Sequence, residues 1–150
     1  MSVELEAAEL ILALNSGYAE LPEIVAWADN LIMQSDRPRI ELIDLALVKS
    51  THEAIILLKE ISKNVNSWAA LRLFFKRFTN IKTLSAKDAS QLAGFLFNKS
   101  VYEEKCPDEF LVFHSHWDDI DLAVGGYKGT VDGAIEAFLS DLRTIASAIT

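Results

Sequence analysis

The chain has 150 residues, of which 51% are hydrophobic and 24% are charged, and its formal net charge is −8. This length favours one domain with its own hydrophobic core, and the composition excludes a disordered or collagen-like protein. The acidic balance argues against nucleic acid or an anionic membrane as a partner, because both ligands attract Lys and Arg.

The first third of the chain predicts three short helices. Apolar residues recur with helical spacing over residues 4–14, and Asn15-Ser16-Gly17 ends this first helix because glycine is a common helix stop. Pro22 fits the first turn of a second helix, where its missing N–H is not needed. Pro38 opens the third helix in the same way.

The middle third predicts three further helices. Ser50 or Thr51 caps the fourth helix, and Ser50 has an acid three residues later, as in a capping box. Ile55, Ile56, Leu58 and Ile61 would form its buried face. Residues 68–78 form a fifth helix that is strongly aromatic, and Ser85 caps the sixth.

Two helices complete the chain. Pro107 begins the seventh, Gly125-Gly126 ends it, and Thr130 caps the last. The inward face of this last helix is predicted to consist of Ile135, Phe138, Leu139, Leu142 and Ile145. No segment alternates like a strand. The sequence therefore predicts an all-α protein with a single domain, 1–150, of about eight short helices in antiparallel αα-hairpins, arranged as an irregular bundle or a solenoid.

Charge is segregated along the chain. Residues 1–36 contain seven acids and no Lys or Arg, residues 37–99 have a net charge of +6, and residues 100–150 have a net charge of −7. Segments of one sign produce fields that steer charged partners.

The acidic C-terminal segment contains the residues that we predict to bind a partner. Seven acids lie within the nineteen residues 103–121, and carboxylates this close repel one another unless a cation or a partner relieves them. A basic cleft is a natural partner, whereas the structural alternative is a solvated acidic face. The predicted contacts are Glu103, Glu104, Asp118, Asp119 and Asp121, with Trp117 or Tyr127 as an aromatic anchor.

The same segment offers an alternative metal site. His114 and Asp118 are four residues apart on one helix face, so both could bind one zinc, manganese or iron ion. The pattern lacks a second ligand pair, and His116 points about 200° away from His114 around the helix. We therefore predict no metal or other cofactor and keep this pair as the alternative, in a metal-binding helical protein or enzyme.

Two other motifs have structural interpretations that we prefer. Cys106 lies at a predicted helix start, which lowers a thiol pKa and favours a nucleophile. A catalytic cysteine also needs a base, and His114, the nearest candidate, is poorly placed on the same helix. We therefore expect a structural thiol. Bases and aromatics alternate over residues 72–78, as in nucleic-acid binding, but Trp68, Leu71, Phe75 and Phe78 have the spacing of core residues.

The compartment is predicted from cysteine usage and the first residues. One cysteine cannot form an internal disulfide, the N-terminal segment has acids where a signal peptide has bases, and no apolar run approaches ~20 residues. These features predict a cytoplasmic protein.

Trp27-Ala28-Asp29 and Ile40-Glu41-Leu42-Ile43-Asp44-Leu45, together with the acidic and helical character of the chain, carry a family resemblance. The chain resembles the small acidic all-helical immunity proteins of bacterial toxin–immunity systems, such as contact-dependent inhibition modules. The resemblance implies a cytoplasmic, non-enzymatic inhibitor that occludes the active site of a toxin. The acidic ends of the chain favour a basic toxin, such as a nuclease. A helical adaptor that holds partner peptides is a further alternative.

Overall fold

A computed structural model describes residues 2–148 of the chain. These residues form eight α-helices and two short 3-10 helices and contain no strand, which confirms the all-α prediction and the number of helices. The α-helices are α1 (Val3–Ser16), α2 (Leu21–Met33), α3 (Ile40–Ala46), α4 (Thr51–Ile61), α5 (Ser67–Phe75), α6 (Ala86–Tyr102), α7 (Phe113–Val124) and α8 (Val131–Ser147).

Several helix ends follow from the chemistry of residues at the end itself. Gly17 ends α1 in the left-handed region at φ 81°, which favours glycine. The side chains of Ser50, Ser85 and Thr130 each accept a hydrogen bond from the backbone N–H three residues later, at the starts of α4, α6 and α8. Ser50, and not Thr51, is therefore the cap of α4.

Two predicted helix starts are wrong. Pro38 precedes α3 and is not in its first turn, because Arg39 is extended at ψ 144° and caps the helix. Residues Asp108–Val112 form a 3-10 helix, and α7 begins only at Phe113. A 3-10 helix has three residues per turn, so Phe110 and Phe113 lie on the same side and both are buried.

The chain divides into two compact units, Met1–Phe74 (the N-terminal unit) and Phe75–Thr150 (the C-terminal unit). In the N-terminal unit, α1 packs on α4, α2 packs on α3, and α3 packs on α4. The indole N–H of Trp27 donates to Glu6 Oε2 at 2.9 Å and joins α2 to α1. One buried cluster of this unit consists of Ala7, Leu10, Ile24, Ala28, Leu42, Leu45, Ala54, Leu58 and Ile61.

In the C-terminal unit, α7 packs on both α6 and α8, and α8 packs on the 3-10 helix Lys76–Phe78. The core is aromatic, with Phe113 meeting Phe138 edge to face at a ring-centroid distance of 6.0 Å. All five residues predicted to face inward from α8 are buried. Trp68 and Leu71 of the N-terminal unit and Phe75 and Phe78 of the C-terminal unit are also buried, as their spacing predicted.

The prediction of one domain over residues 1–150 stays a prediction. The boundary between the two units falls at the end of α5. Within residues 2–148, no helix has both the length and the apolar character that crossing a membrane requires.

Candidate binding cavity between α6 and α7

A surface cavity of about 410 Å³ lies between α6 and α7 in the C-terminal unit. Phe97 lines it from α6, and four residues of α7 line it from the other side, namely His114, Trp117, Asp118 and Asp121. These four positions are related as i, i+3, i+4 and i+7, so helical periodicity places them on one face. The cavity combines an aromatic wall, an imidazole and two carboxylates.

The aromatic wall is formed by closely packed rings. The Phe97 ring lies 5.4 Å from the Trp117 ring and 6.1 Å from the His114 ring, measured between centroids. A Cβ atom on Gly94 would lie 3.1 Å from Trp117 Cε2. The missing side chain of Gly94 therefore lets the indole pack against the backbone of α6.

The two carboxylates of the cavity differ in their surroundings. The Ser90 hydroxyl donates to Asp121 Oδ1 at 3.1 Å and helps to orient that carboxylate. Asp118 is exposed, and neither aspartate has an ion-pair partner among residues 2–148. Carboxylates that line a cavity together with aromatic rings suit a cation, which can interact with both.

Three of the seven predicted partner-binding residues, Trp117, Asp118 and Asp121, meet at this cavity, and the other four lie outside its lining. Asp119, the residue after Asp118 in α7, is half-buried. Glu103 forms an ion pair with Lys99, and Glu104 is exposed.

Tyr127 is the last of the four predicted partner-binding residues that lie outside the cavity lining. It is 84% exposed, and its ring covers Gly125, where a Cβ atom would lie 2.8 Å from it. Trp117 therefore lines the cavity, and Tyr127 does not.

The residues of the alternative metal site, His114 and Asp118, share one helix face, as their spacing predicted, and this face lines the cavity. His116 faces away from it: the ring is buried against Phe138, and Nε2 lies 2.5 Å from Asp141 Oδ2. In the part of the chain that the structure describes, no group of three or more His, Cys, Asp or Glu side chains is placed to hold a metal ion. The alternative therefore has two candidate ligands, His114 and Asp118.

Cys106 lies outside the cavity lining and has the properties of a structural thiol. It is half-buried, and its burial, followed by the nearby negative charge of Asp108, raises the pKa of the thiol. The α-helix that was predicted to start beside Cys106 begins only at Phe113, after a 3-10 helix. A raised pKa leaves less thiolate at neutral pH and disfavours a nucleophilic role.

Three residues of the site were not identified from the sequence. Phe97 has the periodicity of a core residue, and Ser90 has no distinctive neighbours in sequence. Gly94 carried a usable signal, because a glycine inside a helix often marks a close approach by another element. Here that element is the Trp117 side chain.

Comparison with protein-family models, with curated proteins and with solved structures finds no match to this chain.

Proposed function

We propose that this chain is a non-enzymatic, protein-binding inhibitor: an immunity protein of a bacterial toxin–immunity system. It neutralises a basic toxin, such as a nuclease, by occluding the toxin's active site. The observation that carries the proposal is the cavity between α6 and α7, which combines an aromatic wall with two carboxylates that have no ion-pair partner in residues 2–148. The protein would act in the cytoplasm, and neither nucleic acid nor membrane is an expected partner.

The proposed mode of recognition is insertion of one toxin Lys or Arg side chain into the cavity. Its charged group would lie over the Trp117 ring and donate hydrogen bonds to Asp118 and Asp121. Nuclease clefts use basic side chains to hold phosphates, so a base bound in this cavity is no longer available to the substrate. Displacement of water from the cavity would strengthen both the ring contact and the charged hydrogen bonds.

The charge of the C-terminal segment supports the same proposal through kinetics. Residues 100–150 have a net charge of −7, and such a field accelerates the approach of a basic partner. Association should therefore slow as salt is added, because ions screen charges beyond about 10 Å at 0.1 M.

The first experiment is co-purification from the source organism. The tagged chain is isolated at low and at moderate salt, and proteins that accompany it in near-equal amount are identified by mass spectrometry. A single basic protein encoded nearby supports the proposal and shows which reaction is inhibited. The absence of any stoichiometric protein partner contradicts it.

The second experiment places the contact at the cavity. With the identified partner, Asp118→Asn combined with Asp121→Asn should weaken binding by at least about 30-fold, mainly through faster dissociation. The control is Asp132→Asn, which removes an exposed charge of α8 that does not line the cavity and is not a predicted contact. It should change the affinity by less than about three-fold. Equal effects in both variants would contradict insertion of a base at this cavity.

One observation favours a second candidate function, metal binding, because His114 and Asp118 line the same cavity. Metal analysis after purification without chelator distinguishes the two functions. Stoichiometric zinc, manganese or iron that is lost in His114→Ala would support the metal site.

A further inference from the structure

The N-terminal unit has a second surface that the proposed function does not use. Helix α3 is apolar on both of its sides: Leu42 and Leu45 are buried in the core, whereas Ile40 and Ile43 are 64% and 38% exposed. Leu47, at the end of the helix, is 73% exposed. These three exposed residues are related as i, i+3 and i+7, so they form one continuous stripe.

A groove between α3 and α4 adjoins this stripe and shares Leu47 with it. The groove has a volume of about 330 Å³ and is lined by Asp44, Leu47, Val48, Glu53, Ile56 and Leu57. Ile56 was predicted to face the core, but it is 55% exposed and forms part of this lining. Contiguous exposed apolar residues with a polar rim are typical of interaction sites.

The charges of the groove favour one kind of occupant. Its only ionisable lining residues are Asp44 and Glu53, and neither has an ion-pair partner among the residues that the structure describes. A cationic ligand would form ion pairs with both carboxylates and neutralise their charge. A second copy of this chain would bring the same two carboxylates to a two-fold interface, where like charges repel.

We propose that this groove binds an amphipathic helix of a protein partner, with an apolar stripe flanked by Lys or Arg. The apolar stripe would cover Leu47 and Ile56, and the bases would pair with Asp44 and Glu53. This is the helix-in-groove mode of recognition, in which apolar anchors provide affinity and charges at the rim select the partner.

The test uses the full chain and a fluorescent synthetic helix of about 18 residues, with Leu at i, i+3, i+4 and i+7 and Lys at the flanking positions. Fluorescence anisotropy should show saturable binding. Leu47→Ser with Ile56→Ser should weaken it by at least about ten-fold, and Asp44→Asn with Glu53→Gln by about three- to ten-fold. All four side chains are fully or partly exposed, and circular dichroism verifies that the variants keep their helices.

Two controls match these variants. Val124 is 55% exposed, like Ile56, but lies on α7, and Asp29 is an exposed acid of α2 outside the groove lining. Val124→Ser and Asp29→Asn should leave the affinity within about two-fold of the unaltered chain. Asp118→Asn with Asp121→Asn should do the same, so that failure at the α6–α7 cavity is distinguishable from failure here.

Three results would overturn the proposal. The first is no saturable binding of the Lys-flanked helix. The second is equal binding of a helix in which Glu replaces every Lys, which would exclude a role for the two carboxylates. The third is a dimer in sedimentation equilibrium that Leu47→Ser with Ile56→Ser converts to a monomer, which would make a second copy the occupant.

Discussion

Replacement of Phe138 by Ala tests both the packing of the C-terminal unit and its coupling to the rest of the chain. Phe138 is 0% exposed, and its ring lies 6.0 Å from the Phe113 ring and 5.4 Å from the His116 ring. Removal of a ring in such surroundings loses its burial and leaves a cavity, which costs about 4 kcal/mol of unfolding free energy. This is a large part of the roughly 5–15 kcal/mol that stabilises a typical domain.

The expected shift is large enough to measure in urea. With a denaturant dependence of about 2 kcal/mol per molar urea, a loss of about 4 kcal/mol lowers the midpoint by about 2 M. The control is Leu111→Ala in the 3-10 helix before α7, where the side chain is 44% exposed. Its midpoint should move by less than about 0.5 M.

Tryptophan fluorescence shows which part of the chain responds. Of the three tryptophans, Trp27 and Trp68 belong to the N-terminal unit and Trp117 to the C-terminal unit. A background that keeps only Trp27 and a background that keeps only Trp117 therefore monitor the units separately. If residues 1–150 form a single domain, as we predict, Phe138→Ala lowers the midpoint equally in both backgrounds. A urea midpoint that falls in the Trp117 background but not in the Trp27 background would refute the single domain. An unchanged midpoint in both backgrounds would refute the packing argument.

Two further predictions concern local chemistry. Ser50→Ala should reduce the unfolding free energy by about 1 kcal/mol, because it removes the cap of α4. Thr51→Ala should change the unfolding free energy by only a few tenths of a kcal/mol. Urea titration measures both losses, and equal losses would contradict the assignment of Ser50 as the cap. Cys106 should react with a thiol reagent more slowly than free cysteine at pH 7, and its rate should increase as the pH rises towards its raised pKa. A rate equal to that of free cysteine, measured in the folded chain, would contradict this effect of burial and of Asp108.

The helices were predictable from the sequence because their ends depend on residues close in the chain. Ser85 and Thr130 cap α6 and α8 through N–H groups only three residues away, and Gly17 ends α1 through its own backbone freedom. Helix ends were predicted wrongly where an α-helix and a similar local structure fit the same residues. An example is the 3-10 helix Asp108–Val112, which had been predicted as part of the seventh α-helix.

Part of the cavity was also determined by the sequence. Helical periodicity places His114 and Asp118 on one face, and it separates them from His116. It does not show what packs against each face. Only the tertiary structure brings Phe97 and Ser90 of α6 to the cavity and pairs His116 with Asp141 of α8.

The same distinction explains the groove of the N-terminal unit. The sequence identified Ile40, Ile43 and Ile56 as apolar residues of helices, but apolar character does not specify burial. Leu42 and Leu45 of α3 are covered by neighbouring helices, whereas Ile40 and Ile43 of the same helix remain exposed. The sequence by itself determined that the chain folds into helices, where most of them begin and which residues share a face. Which faces are covered depends on contacts between residues far apart in the chain, and only the tertiary structure decided them.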